Sequence, residues 1–252
     1  MPQLLLGIDI GGSSVKAGVV DPSTGQLRGP TVTAPTPEAS TPPNVVAVIA
    51  GLAAQLPQAT GPAGVTYPGV VKHGVVRTAA NVDHGWLGVD GAALVAAALG
   101  RPAVFLNDAD AAGIAEMRWG AGRDFRGTVI MLTFGTGIGS ALFVDGRLFP
   151  NSEFGHLELA GQDAEKFASA RVRTQLNLDW PQWITRVNQY LARMQALFWP
   201  DLFILGGAVS ERFAEFAPLL QVETEIRPAQ FGNHAGIIGA ALAAAEHTGA
   251  GN

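Results

Sequence analysis

Three apolar segments of this chain each run directly into a glycine-rich turn, and this feature constrains the fold more than any other. The turns are DIGGSSVK (9–16), TFGTGIGS (133–140) and LGGAVS (205–210). Glycine is needed where the backbone approaches a ligand closely or takes a positive φ, and consecutive exposed N–H groups in such turns bind phosphate oxygens. One such turn is most often an ordinary hairpin. Three together favour a protein that binds phosphate groups.

The first two turns belong to a pattern that occurs twice. Residues 3–20 read as a strand, a glycine turn and a strand, and residues 128–144 repeat this order. A repeat at this distance indicates two similar halves. Further strands are predicted at 62–66, 103–107 and 202–210, and helices at 45–56, 109–118, 180–197 and 236–247. The alternation predicts an α/β fold.

Composition excludes several classes of function. The net charge of −5 disfavours a nucleic-acid partner, which requires a basic face. The absence of cysteine excludes disulfides, thiolate zinc sites and cysteine nucleophiles. No turn fits the P-loop pattern GxxxxGK[ST] or a GxGxxG that opens a helix. The apolar stretches 91–99 and 236–245 are far shorter than the ~20 residues of a membrane span, so we expect no membrane partner and a cytoplasmic location.

Polar residues beside the first turn suit phosphate chemistry. Asp9 ends a buried strand facing the glycines, where a carboxylate would hold a hydrated Mg²⁺, although it would also serve simply to cap the turn. Lys16 follows the turn, within reach of a transferred phosphoryl group, and is otherwise a solvated strand lysine.

Two further polar clusters suit a sugar substrate. Asn107 and Asp108 end one strand and begin a helix, where an aspartate is also a common cap. A kinase acting on an alcohol needs a carboxylate to accept the hydroxyl proton. Glu153 and His156 lie three residues apart around a glycine and offer an acceptor and a donor for sugar hydroxyls, although such a pair is more often structural.

These motifs together resemble the ROK (repressor, open reading frame, kinase) family and, within it, the bacterial polyphosphate-dependent glucokinases and glucomannokinases. The resemblance rests on DIGGSSVKAGVV (9–20), GVTYPGVV (64–71), LNDADAAGIAEMRWGAG (106–122), LTFGTGIGSALF (132–143) and NSEFGHLE (151–158). It implies the actin-like ATPase (ribonuclease H-like) two-lobed sugar kinase fold. We expect a smaller N-terminal lobe over 1–106, a larger lobe over 107–235, and a final helix, 236–248, that packs back on the first lobe.

The resemblance also implies a role for each residue. Asp108 is the predicted general base, and Asn107, Asp108, Glu153, His156 and, from DAEKFAS, Glu165 are the predicted sugar ligands. The predicted phosphate ligands are Gly11, Gly12, Ser13, Ser14, Lys16, Gly135, Thr136 and Gly137. Gly206 and Gly207 are expected to bind the distal part of the donor, and Asp9 to hold Mg²⁺ through water.

Two departures from the family pattern bear on these expectations. Many ROK kinases carry a cysteine-rich zinc motif after the Glu-x-Gly-His segment, whereas this chain has LELAGQDAEKFASA (157–170), so no zinc is expected. No helix-turn-helix precedes Met1, which disfavours the repressor branch.

The sequence therefore predicts a glucokinase that transfers a phosphoryl group from polyphosphate, and also from ATP, to the 6-hydroxyl of glucose. An ATP-dependent hexokinase, a non-catalytic sugar sensor and an actin-like ATPase with a protein client stay open as alternatives. Dimerisation is implied by the resemblance alone. Polyphosphate would need a basic track, for which the candidates are Lys16, Lys72, Arg123, Arg126, Arg171 and Arg173.

Overall fold

A computed structural model of the chain describes residues 3–80 and 82–248 and divides them into two compact units. The first unit runs to Trp119 and resumes at His234, and the second is Gly120–Asn233. No helix in the described part of the chain is both long and apolar enough to cross a membrane.

The strands, in chain order, are β1 (Leu5–Ile10), β2 (Ser14–Asp21), β3 (Gln26–Leu27), β4 (Val32–Pro35), β5 (Ala63–Tyr67), β6 (Val71–Lys72), β7 (Val75–Val76), β8 (Ala103–Asn107), β9 (Thr128–Phe134), β10 (Ile138–Val144), β11 (Arg147–Phe149), β12 (Glu158–Leu159), β13 (Gln162–Asp163), β14 (Leu202–Gly206) and β15 (Glu225–Pro228). The α-helices are α1 (Pro42–Ala54), α2 (Gly91–Leu99), α3 (Asp108–Trp119), α4 (Ala164–Ala168), α5 (Ala170–Gln175), α6 (Trp180–Phe198), α7 (Phe213–Phe216) and α8 (Ala235–Thr248).

The main sheets of the two units share one strand order. In the first unit the order is β3-β2-β1-β5-β8, with β4 also paired to β2, and in the second it is β11-β10-β9-β14-β15. Each sheet begins with an antiparallel hairpin and continues with parallel strands that require crossover connections. The predicted α/β class and the predicted duplication are therefore confirmed.

Helix α8 packs so closely on the first sheet that only glycine fits at the contact. A Cβ atom added to Gly64 of β5 would lie 1.8 Å from the Ala240 carbonyl oxygen, and one added to Gly7 of β1 would lie 2.0 Å from that of Ile237. On the other side of α8, a Cβ at Gly239 would lie 1.6 Å from the Ala111 carbonyl oxygen of α3. Small residues thus place the last helix in the first unit, between the sheet and α3.

Helix α6 supplies much of the second unit's core. Its buried face, one residue in three or four, comprises Trp183, Ile184, Val187, Tyr190, Leu191 and Met194. Asp179 and Gln182 form a capping box at its start, and Trp199, which is 75% exposed, ends it in a left-handed conformation with φ 45°. The helix predicted at 180–197 is confirmed, with one residue more.

Some helices and strands begin or end at residues other than those predicted, because proline and glycine determine the local backbone conformation there. Helix α1 begins at Pro42, three residues before the predicted start, because proline is tolerated in the first helical turn. Strand β14 stops at Gly206 because Gly207 takes φ 82° and a 3₁₀ helix, Ala208–Arg212, follows.

The division between units follows Trp119 and not residue 106, since α3 packs against α8. The first unit is the longer one.

Candidate active site

Asp9 lies next to the first glycine turn, in a network that the first sheet provides. The Thr66 hydroxyl of β5 donates to Asp9 Oδ1 at 2.6 Å and accepts from the Ile10 amide at 3.2 Å. Lys16 is the cross-strand partner of Asp9 in the β1–β2 hairpin, so both side chains emerge on the same face. The sheet thus brings together an acid, a hydroxyl and an ammonium group.

The first turn is tied down at its ends and open at its tip. The Gly11 amide donates to the Ser14 carbonyl at 3.0 Å, and the Thr36 hydroxyl donates to the Gly11 carbonyl at 2.6 Å. A Cβ atom at Gly12 would meet no heavy atom within 4 Å among the residues described, so there is room for a ligand above this peptide. Gly12 and Ser13 are exposed.

The residues around Asp9 suit a hard divalent cation. Its carboxylate is half-buried, and a hydroxyl orients one of its oxygens. Mg²⁺ prefers such oxygen ligands, keeps several waters and takes one or two carboxylates from the protein. Asp9 therefore fits the role of holding a hydrated Mg²⁺.

Asn107 and Asp108 lie where β8 becomes α3. The buried Asn107 side chain accepts from the Asp110 amide at 2.9 Å and donates to the Gly69 carbonyl at 3.1 Å, so it fixes the first turn of the helix. Asp108 is half-buried, and its Oδ1 accepts from the Ala109 amide at 2.8 Å. The sequence left open whether Asp108 only caps the helix. In the structure it is mainly Asn107 that caps α3.

In the second unit, the second glycine turn joins β9 to β10. The Gly135 amide donates to the Gly137 carbonyl at 3.0 Å, and a Cβ at Gly135 would meet no described heavy atom within 4 Å. A Cβ at Gly137 would lie 2.3 Å from Glu165 Oε2, which also accepts from the Ile138 amide at 3.4 Å. Glu165, a predicted sugar ligand, therefore contacts the predicted phosphate turn.

Two buried serines fix the segment that carries Glu153. The Ser140 hydroxyl of β10 donates to the Ser152 carbonyl at 2.6 Å, and the Ser152 hydroxyl donates to the Ser140 carbonyl at 3.0 Å. The Phe154 amide donates to Ser140 Oγ at 3.0 Å. Hydrogen bonds therefore fix the residues on both sides of Glu153, which are Ser152 and Phe154.

Glu153, His156 and Glu165 lie close enough to influence one another. His156 Nε2 is 3.9 Å from Glu153 Oε2. Burial raises the pKa of the Glu153 carboxyl above its usual value, the nearby His156 lowers it, and the charge of Glu165 raises it further. The surroundings of Glu153 therefore disfavour its charge, and His156 offsets part of this effect.

Asp163 contacts the other nitrogen of His156. The His156 Nδ1 and Asp163 Oδ2 atoms are 3.4 Å apart, and Lys166 Nζ is 3.3 Å from the same oxygen. The Lys166 and His156 contacts lower the pKa of the Asp163 carboxyl. A carboxylate at Nδ1 favours the tautomer with its proton on that nitrogen, which leaves Nε2 as an acceptor in the neutral ring.

The same region contains ligand-type atoms of His156, Asp163 and Glu165 within 4.8 Å of one another. The Lys166 ammonium group already supplies positive charge at Asp163, which disfavours a cation there. The expectation that no zinc is bound stays a prediction.

The third glycine turn lies beside the second. Strands β9 and β14 are parallel neighbours, and Gly206 pairs with Thr133 in their register. A Cβ at Gly207 would lie 2.3 Å from the Phe134 carbonyl oxygen, so the two turns emerge at the same edge of the sheet.

The structure therefore assembles the predicted residues as two groups, one in each unit. The first unit groups Asp9, Lys16 and the 11–14 turn around β1 and β2, and places Asn107 and Asp108 at the end of β8. The second unit joins Gly135–Gly137 to Glu153, His156 and Glu165. Thr66 and Asp163 were not predicted as parts of the site, because only the folded sheet and hairpin bring them to Asp9 and His156.

Comparison with known proteins gives one consistent result. A model of the ROK family matches residues 5–171. The chain is 49% identical to a polyphosphate glucokinase of Mycobacterium tuberculosis over 96% of this chain and 91% of that protein. A polyphosphate/ATP-glucomannokinase from Arthrobacter sp. strain KM matches with a TM-score of 0.92 and 48% identity, over 97% of this chain and 99% of that one. A ROK family glucokinase from Streptomyces griseus, solved with glucose and AMPPNP, matches with a TM-score of 0.80 and 25% identity, over 94% and 98%.

Proposed function

The chain belongs to the ROK family, and from that premise we propose that it transfers a phosphoryl group from inorganic polyphosphate, and from ATP as a second donor, to the 6-hydroxyl of glucose. It is a sugar kinase with the actin-like ATPase fold of its relatives. The observation that carries the choice of donor and acceptor is the 49% identity to a polyphosphate glucokinase over 96% of the chain.

In the proposed reaction Asp108 is the general base. Its carboxylate accepts the proton of the glucose 6-hydroxyl as that oxygen attacks the terminal phosphorus atom of the donor. The new oxygen–phosphorus bond forms while the bond to the next phosphate breaks, so the products are glucose 6-phosphate and a donor shortened by one phosphate. Asn107, Glu153, His156 and Glu165 hydrogen-bond the sugar hydroxyls.

The amides of the two glycine turns and the Lys16 ammonium group stabilise the charge on the phosphates. Phosphoryl transfer of this kind depends on a divalent cation, and we assign Mg²⁺ to Asp9. When bound, the ion neutralises charge on the donor phosphates. Dimerisation and a cytoplasmic location stay predictions from the sequence.

Replacing Asp163 with asparagine is expected to raise the KM for glucose about tenfold, because His156 loses the carboxylate that orients its ring. The kcat and the KM for the donor are expected to change much less. Steady-state kinetics over a range of glucose and donor concentrations would measure both. The matched control is Glu158→Gln, which removes an exposed carboxylate from the same hairpin. An unchanged KM for glucose in the Asp163 variant would show that His156 needs no such partner.

The proposed function is tested by the initial rate of glucose 6-phosphate formation in the presence of Mg²⁺, with ATP-free polyphosphate or ATP as the donor. We expect activity with both donors and the higher rate with polyphosphate. Activity with ATP alone would restrict the protein to an ATP-dependent hexokinase. No activity with either would favour a non-catalytic sugar sensor.

A further inference from the structure

Two arginines of the second unit lie over the ring of one tryptophan. The Arg173 guanidinium carbon is 3.9 Å from the centroid of the Trp180 ring, and that of Arg212 is 4.9 Å from it. They come from different elements, α5 and the 3₁₀ helix Ala208–Arg212. We propose that this Arg173–Trp180–Arg212 cluster is a distal subsite that binds the phosphates of polyphosphate beyond the one transferred, an inference that rests on the proposed function.

The cluster is rigid enough to hold an extended ligand. The Trp180 Nε1 atom donates to Glu215 Oε2 at 3.0 Å, and Arg212 donates two hydrogen bonds to Glu215, both at 2.6 Å. These contacts fix the ring and one guanidinium before any ligand arrives. A guanidinium stacked on a ring keeps its N–H groups at the edge, in a fork that matches phosphate oxygens.

Arg173 has N–H capacity that the protein leaves unused. Its Nε atom is buried and has no hydrogen-bond partner among the described residues, and it forms no ion pair with them. Arg212 differs, because both its contacts with Glu215 satisfy part of its fork. Because its Nε is enclosed by protein, Arg173 reaches an anion through its terminal Nη groups, which no hydrogen bond or ion pair with the described residues occupies.

Backbone contacts connect this cluster to the glycine turns. The amide of Arg171, in the first turn of α5, donates to the Gly135 carbonyl at 3.0 Å. On the other side, Gly207 contacts the backbone of Phe134, and the 3₁₀ helix that ends at Arg212 starts there. The segments that carry Arg173 and Arg212 thus both adjoin the backbone of the second glycine turn, from which an extended polyanion would have to continue.

Charge also favours an anionic ligand at this place. Among the described residues, Arg212 forms an ion pair with Glu215, whereas Arg171 and Arg173 form none. Positive charge is thus in local excess here, although the formal net charge of the chain is −5. Two other candidates for a basic track are engaged elsewhere. Arg123 lies 3.5 Å from Asp124, and Arg126 donates to the Asp145 carbonyl.

The competing occupant is the base of a nucleotide, which would need an open aromatic face. Guanidinium groups already lie over the Trp180 ring at 3.9 and 4.9 Å, so the cluster offers N–H donors more than a stacking surface. A chain of phosphates uses such donors, and it supplies one after another along its length.

The test compares donors of different length in three variants, Arg173→Gln, Arg212→Gln and the double variant. Initial rates are measured with long-chain polyphosphate, tripolyphosphate and ATP. We expect the KM for long-chain polyphosphate to rise about tenfold in Arg173→Gln, the loss of a charge-assisted hydrogen bond, with kcat unchanged. The KM for tripolyphosphate, which is too short to occupy a distal subsite fully, is expected to change less than about twofold.

Salt dependence gives a second readout. Fewer contacts between cations and phosphates reduce the slope of log KM against log salt concentration, so the double variant should show a shallower slope with long-chain polyphosphate. The matched control is Arg186→Gln, because Arg186 also lies over a ring of the second unit, 5.0 Å from the Phe167 centroid. If Arg173→Gln unfolds, Arg173→Lys keeps the charge without the planar fork and is expected to raise the same KM by a smaller factor.

Each possible result either supports or contradicts the distal subsite. An unchanged KM for long-chain polyphosphate in the folded variants, with an active wild type, overturns the subsite and leaves the proposed function standing. Equal rises for all three donors overturn it as well, since they indicate a general electrostatic effect. A rise confined to ATP assigns the cluster to the nucleotide. A wild type that does not use polyphosphate at all overturns the proposed donor and the subsite together.

Discussion

Changing Asp108 to asparagine is expected to lower kcat about 10²–10⁴-fold while glucose still binds. Asparagine has the shape of aspartate but does not accept the proton of the 6-hydroxyl, so the loss falls on the chemical step. Initial rates with saturating glucose and donor measure it, and isothermal titration with glucose checks binding. Turnover within a factor of two of the wild type would exclude Asp108 as the base.

The control for this experiment separates catalysis from helix capping. Asp90 caps α2 in the same unit, where its Oδ1 accepts from the Ala93 amide at 2.9 Å. Asp90→Asn changes a carboxylate at a helix start without touching a predicted ligand, and asparagine caps about as well as aspartate. We expect it to leave kcat unchanged. Equal losses in both variants would indicate a general effect of replacing an aspartate at a helix start, and not the loss of proton transfer.

Changing Gly239 to alanine is expected to destabilise the first unit by about 3 kcal/mol, at the upper end of what overpacking usually costs. The added methyl carbon would lie 1.6 Å from the Ala111 carbonyl oxygen, a backbone atom that moves only if α3 or α8 moves. Thermal unfolding should show a Tm roughly 6–12 °C lower for this reason. A Tm unchanged within a degree would mean that the two helices are not packed as closely as described.

Gly51 is the matched control because it lies inside α1, is exposed and would give a Cβ no described atom within 4 Å. Gly51→Ala is expected to raise stability by about 0.5–1 kcal/mol, since alanine loses less conformational freedom in a helix. The same substitution in two helices of one unit is thus expected to act in opposite directions. Two losses of similar size would point to a general intolerance of alanine and not to the contact with Ala111.

The sequence predicted the elements that depend on local periodicity. Strand β8 was predicted at its observed bounds, because an apolar run ends there in a polar pair. Both hairpins around glycine turns were also predicted, since alternating apolar residues on either side of glycine leave few other structures. Several of the candidate ligands, among them Asp9, Lys16, Asn107 and Gly135, lie in these same segments or directly beside them, and their roles were implied by the family resemblance.

Other features depend on contacts between distant segments, which periodicity does not encode. Trp180 begins the helix that was predicted at 180–197, but the spacing of that helix does not show that Arg173 and Arg212 lie over its half-buried ring. The end of the first unit at Trp119 depends on the fit of α3 to the glycine face of α8, across more than a hundred residues. Neither could be inferred from a single window of sequence.

The shared strand order of the two sheets has a consequence for how charge is divided. Asp9 and Thr133 occupy equivalent places, two residues before the first glycine of their turns. Across the hairpin Asp9 faces Lys16 and Thr133 faces Gly139, and on the parallel side they face Thr66 and Gly206. The first hairpin thus has an acid and a base at places where the second has a threonine and a glycine. The pseudo-symmetry is therefore geometric and not electrostatic. Under the proposed function, the first half holds the cation and its counterpart lets phosphates approach the main chain directly.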